Sequence, residues 1–330
     1  MSSINKPFLL KPAAKDYLWG GSRINDDFGK GIDLSPLAES WECSCHPDGT
    51  SEIASGDFSG RKLSDVLLLH PEFVGKHAGS IANGEFPIIV KLIDAKNDLS
   101  IQVHPNDTYA SIHEKSLGKT EMWYVLSARK DAKLIYGFNK DLSKEELLSS
   151  IENKTITEHL NQIPVHKDDV FFIEPGTVHA IGAGVLLAEI QENSNITYRL
   201  YDYDRIDKNG KKRDLHLDKA LEVIDLHSSR SPKQPMRTLR YRNGYASELL
   251  SRCRYFQVER VLLNTEINRD LYRFKTDDNS FHVLLCYEGC GVISGEDLSL
   301  NFFKGDTIFV PADSIEIKLH GKAQLLDISC

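Results

Sequence analysis

Apolar positions along the chain fall mostly into short runs with the two-residue alternation or unbroken hydrophobicity of strands. FPIIVKLID (86 to 94), MWYVLSA (122 to 128), AKLIYGF (132 to 138), DVFFIEP (169 to 175), GVLLAEIQE (184 to 192) and ITYRLYDY (196 to 203) each predict a strand. Gly, Pro, Asn and Asp cluster between them, as in a sandwich or barrel. Helical patterns are fewer: LSDVLLLHPEFV (63 to 74), LSKEELLSSIEN (142 to 153) and LHLDKALEVID (215 to 225). Ser64 and Ser143 are placed as N-caps of the first two, and Glu146 completes a capping box with Ser143.

The third helix closes a first unit. The polar, proline-bearing stretch that follows (227 to 251) reads as a connection into a second β-rich unit, YFQVERVLLN, HVLLCYEGCGVISG, SLNFFKGDTIFVPAD, SIEIKLHG and AQLLDIS. The expected division is 1–240 and 241–330. A weak internal repeat links the halves. MWYVLSARKDAKLIYG followed by HKDDVFFIEPGTVH matches HVLLCYEGCGVISG followed by FKGDTIFVPADS, each read as a hairpin, an acidic turn and a strand ending in proline. Two copies of one β-barrel unit are predicted. Only the first ends in a histidine, His179; the second has Pro311-Ala312-Asp313 there, so the second is expected to be metal-free.

Composition narrows the function classes. The 330 residues are 41% hydrophobic and 27% charged, ordinary values for a globular chain with a real core. A net charge of −8 argues against nucleic acid or an acidic membrane as main partner, since both need a broad basic face. It leaves room for a small anion held by a local cluster such as Lys91, Lys119 and Arg199. The N-terminal apolar run is too short for a signal peptide and no stretch approaches 18 apolar residues, so a cytoplasmic location is expected. Six cysteines without Cys-x-x-Cys pairs fit a reducing compartment. Cys286 and Cys290 read as buried thiols on a strand and its following turn.

The chemistry concentrates in a few donors. Gln102 and His104 lie two apart in LSIQVHPND, so on a strand they share a face about 7 Å apart. Glu121 heads the strand EMWYVLSA, and His179 follows the Pro175-Gly176 turn. One amide, two imidazoles and a carboxylate form a mixed N/O set for one divalent ion, with room for water or substrate. Zinc is the favoured occupant; manganese, cobalt or iron would fit nearly as well. Trp19, Trp41 and Trp123 read as core or pocket wall rather than a sugar-stacking platform, and His70, His77, His113, His159, His166 and His216 have no partners at ligand spacing.

The segments AESWECSCHPDG, FPIIVKLIDAKNDLSIQVHPND, GKTEMWYVL and PGTVHAIGAGVLLAEIQENSNITYRLYD resemble those of type I mannose-6-phosphate isomerases in the short bacterial form, over about residues 10 to 225. The last 90 residues match only in general character. The resemblance implies a mostly β fold of two cupin, jelly-roll-like barrels with a few short helices packed around the first. It implies one Zn2+ on Gln102, His104, Glu121 and His179, with Arg199 catalytic and Lys91, Lys119, Ser100 and Glu189 lining the pocket. Local departures are Trp41-Glu42, where many members have Trp-Met or Trp-Leu, and Asp168-Asp169 in place of Gly-Asp.

Interconversion of mannose 6-phosphate and fructose 6-phosphate through an enediol needs an acid–base group and a positive charge. Glu189, Lys91 and Lys119 are the candidate bases, a lysine being made neutral by burial and the nearby ion. Arg199 either steadies the enediolate or, with Ser100 and Lys119, binds substrate. The competing readings are another metal cupin enzyme, such as an iron dioxygenase or a nucleotide-sugar epimerase, and a non-catalytic sugar-binding cupin. Gln102 speaks against the dioxygenase, which usually shows His-x-His. Lys91, Lys119, Glu189 and Arg199 together speak against a mere binding module.

Overall fold

A computed structural model of the chain describes residues 5–330 other than 83, 208–209, 230–231, 233 and 268–269. Its strands form three antiparallel sheets. Among the described residues no helix is long and apolar enough to cross a membrane.

The alternation that predicts strands also decides which way each side chain faces. The six-stranded sheet runs Val170–Ile173, Glu121–Ala128, Val185–Glu192, Ile88–Ala95, Glu39–Cys43, Ala13–Lys15. From it Met122, Tyr124, Val90, Leu92, Ala188 and Ile190 point outwards into a core shared with Val258, Leu285 and Phe309. Their neighbours Glu121, Trp123, Lys91 and Glu189 therefore point inwards. The five-stranded sheet runs Tyr198–Tyr201, Ile101–Val103, His179–Ile181, Lys133–Phe138, Leu160–Pro164. Its outer residues Ile101, Val103, Tyr198 and Leu200 pack on Leu147, Ile151 and Ala220 of two covering helices, which leaves Gln102 and Arg199 on the inner face. The sheets face one another as in a cupin jelly roll, without hydrogen-bonding into one closed barrel. The space between them is apolar around Trp19, Ile93, Val125, Ile181 and Leu187, and polar where the inward charged residues meet.

The ten-stranded third sheet carries the residues from Arg240 onwards and also takes in Phe8–Lys11 and Glu52–Ile53, with Phe8 opposite Phe309. Its interior is filled by Val261, Leu284, Ile293, Phe302, Ile308 and Leu325. The repeat is visible in hydrogen bonds. His166 N–H donates to Asp169 Oδ2 at 2.8 Å, and Phe303 N–H to Asp306 Oδ2 at 2.8 Å; Asp168 N–H bonds Val125 O, and Gly305 N–H bonds Cys286 O. Asp168 and Gly305 both have positive φ, 72° and 99°, which is why glycine is usual at this turn. At Gly305 a Cβ would stand 2.4 Å from Phe28 O, so glycine is required. The first copy has room for Asp168, whose carboxylate accepts from Tyr124 Oη at 2.6 Å.

Some elements differ from expectation. The helix predicted over 63–74 is Leu63–Leu69 followed by a 3-10 turn at Pro71–Phe73, because proline cannot continue the ladder. Its N-cap is Lys62, not Ser64. Leu63 is fully buried and must start the helix to point inwards. Ser143 does cap Lys144–Glu152, in a complete capping box with Glu146. The third helix is Leu217–Val223, and an unexpected one, Asp107–His113, is capped by Asn106. HVLLCYEGCGVISG is not a hairpin but one strand, His282–Gly295. A register shift at Cys286–Glu288 lets it bend and continue. Cys290 is accordingly exposed within that strand rather than buried in a turn, while Cys286 is buried as expected. Ile317–Ser329 is likewise a single strand, and strands Arg240–Arg242 and Tyr245–Arg252 occupy the end of the expected connection. Residues 230, 231 and 233 of that connection lie outside the described residues.

Replacing Ser143 by Ala removes the cap of Lys144–Glu152 and is expected to cost about 1 kcal/mol. Urea denaturation would read this as a lower midpoint with an unchanged slope.

Candidate metal centre and active site

Strand pairing brings the donors together. His179 opens a strand whose direct antiparallel partner is Gln102, and Arg199 lies opposite Gln102 on the other side. The Pro175-Gly176 turn is tied to His104 by a Gly176 N–H to His104 O bond of 2.9 Å. Glu121 begins its strand on the facing sheet.

The side chains converge closely. His104 Nε2 and His179 Nε2 are 3.1 Å apart, and Glu121 carboxylate oxygens stand 3.6 Å and 3.4 Å from them. Gln102 Nε2 is 3.4 Å from His179 Nε2, and half a turn of the amide presents Oε1 instead. His104, Glu121 and His179 are all buried, and they are the one group of three or more His, Cys, Asp and Glu suited to a metal among the described residues.

Three observations test whether a cation fits. Glu121 is fully buried; Lys119 Nζ, 2.9 Å from Oε2, pairs with one oxygen, while among the described residues Oε1 has no donor and faces a bare imidazole nitrogen, a costly state for a carboxyl in a protein interior. His179 Nδ1 lies 2.9 Å from Thr177 O; a carbonyl only accepts, so Nδ1 carries the proton and Nε2 turns a bare lone pair inwards. Ligands about 2.0–2.1 Å from a tetrahedral ion stand about 3.3 Å from one another, and the separations here bracket that value. The donor set fits a divalent ion.

Electrostatics agree. Burial holds His179 down at about 4, and burial with the Lys119 ammonium holds His104 well below the ordinary imidazole value. Both are the neutral, ligating form. Burial and the Glu189 charge push Glu121 up to about 7, against Lys119. That is the behaviour of a buried carboxylate whose desolvation one ammonium does not offset. Lys119 Nζ lies 2.9 Å from Glu121 Oε2 and 3.2 Å from His104 Nε2.

Beside the donors is a cavity of about 240 Å³ whose wall includes Lys91, Ser100, Gln102, Lys119, Glu189 and Arg199. The structure thus brings together all of the substrate and acid–base candidates with one of the metal donors. Lys91 is buried, 3.1 Å from Glu189 Oε1 and 3.9 Å from Glu39 Oε2, over the Trp41 ring. Burial alone would lower its pKa, but Glu189 and Glu39 outweigh it and the net shift is upwards. Burial by itself thus does not make Lys91 neutral; its two carboxylate neighbours favour the ammonium. Glu189 is shifted down despite burial, by Lys91, Lys119 and a hydrogen bond from Trp123 Nε1 at 2.9 Å. Arg199 does not pair with Asp202 or Asp204, which are taken by Arg205, Arg213, Lys154 and Lys212. Its Nε instead donates to Ser100 Oγ at 3.3 Å and its Nη1 to Asp214 O at 2.8 Å, leaving further N–H groups and the charge available. His216, set aside from spacing, accepts the Arg199 N–H at 3.2 Å.

Sequence reasoning missed Glu39. Trp41 and Trp123 are fully buried, as expected of core or wall, and in addition Trp41 Nε1 donates to Glu39 Oε2 at 2.7 Å as Trp123 Nε1 does to Glu189, so both indoles orient carboxylates. The Glu-x-Trp alternation of Glu39 and Trp41 on one strand was the available signal.

Residues 8–119 match the family model for the type I phosphomannose isomerase catalytic domain, and residues 247–329 that for the mannose-6-phosphate isomerase cupin domain. The likeness thus reaches the C-terminal residues as well. The chain is 39% identical to the mannose-6-phosphate isomerase ManA of Bacillus subtilis over 97% of this chain and 98% of that one. It is 40% identical to a mannose-6-phosphate isomerase of Streptococcus mutans over 67% of this chain and 68% of that one. A crystal structure of a mannose 6-phosphate isomerase from Bacillus subtilis superposes with a TM-score of 0.88 at 33% identity, covering 98% and 99% of the two chains.

Removing any one donor should release the ion. Gln102→Ala, His104→Ala and His179→Ala are expected to purify folded, by circular dichroism, with metal content well below that of the wild type. Full metal occupancy in all three would place the ion elsewhere.

Proposed function

This chain belongs to the type I mannose-6-phosphate isomerases, and from that premise we propose that it interconverts mannose 6-phosphate and fructose 6-phosphate through an enediol. The ion is zinc, held by Gln102, His104, Glu121 and His179. The observation that carries this reading is the Glu121 carboxylate, buried with Lys119 on Oε2, no donor on Oε1 among the described residues, and two neutral imidazoles facing it. An amide in the donor set supports a redox-inert ion. When bound, such an ion supplies fixed positive charge against which oxyanion character at C1 and C2 can develop.

The remaining residues divide the work by charge. Glu39, Glu121 and Glu189 face Lys91 and Lys119, three negative charges against two positive. A divalent ion reverses that sign, and Arg199 adds to it, which suits a phosphorylated sugar. Glu189 is the base that moves the proton between C2 and C1: burial strengthens its interactions, and its low pKa keeps it ionised. Lys91 stays charged and steadies Glu189. Arg199, with donors to spare, holds the anionic part of the substrate beside Ser100 and Lys119. The free cysteines support a reducing, cytoplasmic setting.

Purified zinc-loaded protein given mannose 6-phosphate should produce fructose 6-phosphate in a coupled assay; absence of turnover overturns the reading. Glu189→Gln is expected to lower kcat by roughly 10²–10⁴ with KM little changed, the usual share of a positioned base. An unchanged kcat would assign the proton transfer to another group.

A further inference from the structure

The segment that delivers Lys119 and Glu121 is held by groups outside the pocket. Gly118 N–H donates to Asp107 Oδ1 at 2.9 Å, Lys119 N–H to Pro105 O at 3.0 Å, and Thr120 N–H to Glu192 Oε1 at 2.7 Å. Three successive amides are thus committed immediately before Glu121. Gly118 is pressed so close that a Cβ there would stand 2.5 Å from Asp107 N, so the segment has no slack on that side. Asp107 in turn accepts from Tyr255 Oη at 2.7 Å. Tyr255 sits in the short turn between strands Tyr245–Arg252 and Gln257–Asn264 of the C-terminal sheet. The turn is anchored by a Cys253 N–H to Phe256 O bond of 2.9 Å and by buried Phe256.

Glu192 is 1% exposed, and its Oε2 has no donor pointing at it. Its neighbour is the Asp107 carboxyl, whose charge acts on it. Burial and the Asp107 charge push Glu192 up to about 8, while Asp107 is held low, against its own burial, by Tyr255 and the Gly118 amide. The other charged or titratable groups facing the pair are Arg254, which favours the Asp107 charge, and Cys253.

We propose that Tyr255, Asp107 and Glu192 are positioning residues through which the C-terminal sheet fixes the backbone on both sides of Lys119. The C-terminal unit is then part of the active-site scaffold, and the Asp107 and Glu192 carboxylic groups that hold the Gly118 and Thr120 amides are its joint. None of the three is a metal donor or lines the cavity beside the donors, so they act through the segment 118–121. The consequence for the reaction rests on the isomerase reading above.

Tyr255→Phe removes one hydroxyl and is expected to lower kcat on mannose 6-phosphate roughly ten- to hundredfold, the effect of misplacing a catalytic group by a fraction of an ångström to an ångström. KM and zinc content should stay close to wild type. Because Glu192 is protonated below about pH 8 and ionised above it, wild-type kcat should fall as pH rises through that value. Glu192→Gln stays neutral and keeps an acceptor for Thr120, and should lack that alkaline limb. A wild-type kcat in Tyr255→Phe, or superimposable pH profiles for wild type and Glu192→Gln, overturns the proposal. Wild type without turnover would overturn the isomerase reading instead.

Discussion

Burying Glu121 with Lys119 beside Oε2 and no donor for Oε1 among the described residues is the constraint around which the rest is arranged. An ionised carboxylate moved into a protein interior loses several kcal/mol of solvation even after relaxation. Lys119 offsets part of that, and the two imidazoles, neutral and turned nitrogen-first towards the carboxylate, offset none of it. A divalent cation resolves the conflict at one stroke. The same burial then dictates the second layer. Lys91 and Glu189, on neighbouring strands buried at every position, can sit there only as a pair, and Trp41 and Trp123 supply N–H groups to the carboxylates on either side.

The two β units show how one scaffold serves two ends. Their acidic turns carry the same hydrogen bonds at Asp169 and Asp306. What separates them is the residue type at inward positions. The first unit places Glu121, Gln102, His179 and Glu189 there, and the second Val261, Leu284, Ile293 and Phe302. A packed apolar interior has no room or donors for an ion. It makes a rigid body instead, and the Tyr255 turn shows how such a body can bear on the other unit's chemistry without contributing a ligand.

Much of the local structure was legible because it depends on neighbours in sequence. The strands around 88–95, 121–128, 133–138, 170–173, 185–192 and 198–201 follow from alternation and β-rich composition, and the Ser143–Glu146 cap from two residues three apart. Misreadings arose where a distant contact overrode the local signal. Leu63 starts its helix early because the core takes it in, and His282–Gly295 runs on through its glycines because it pairs along most of its length with Ile317–Ser329.

By itself the sequence determined the donor chemistry: Gln102 and His104 share a strand face, Glu121 heads a strand, and His179 follows a turn, all of which are spacing and residue type. Only the tertiary structure decided which charges those groups carry. That Lys91 is shifted up and Glu189 down, that Glu192 is pushed up to about 8, and that Arg199 has no carboxylate ion pair among the described residues depend on burial and on residues up to a hundred positions away in the chain. Charge state is a property of surroundings, and surroundings exist only once the strands are paired.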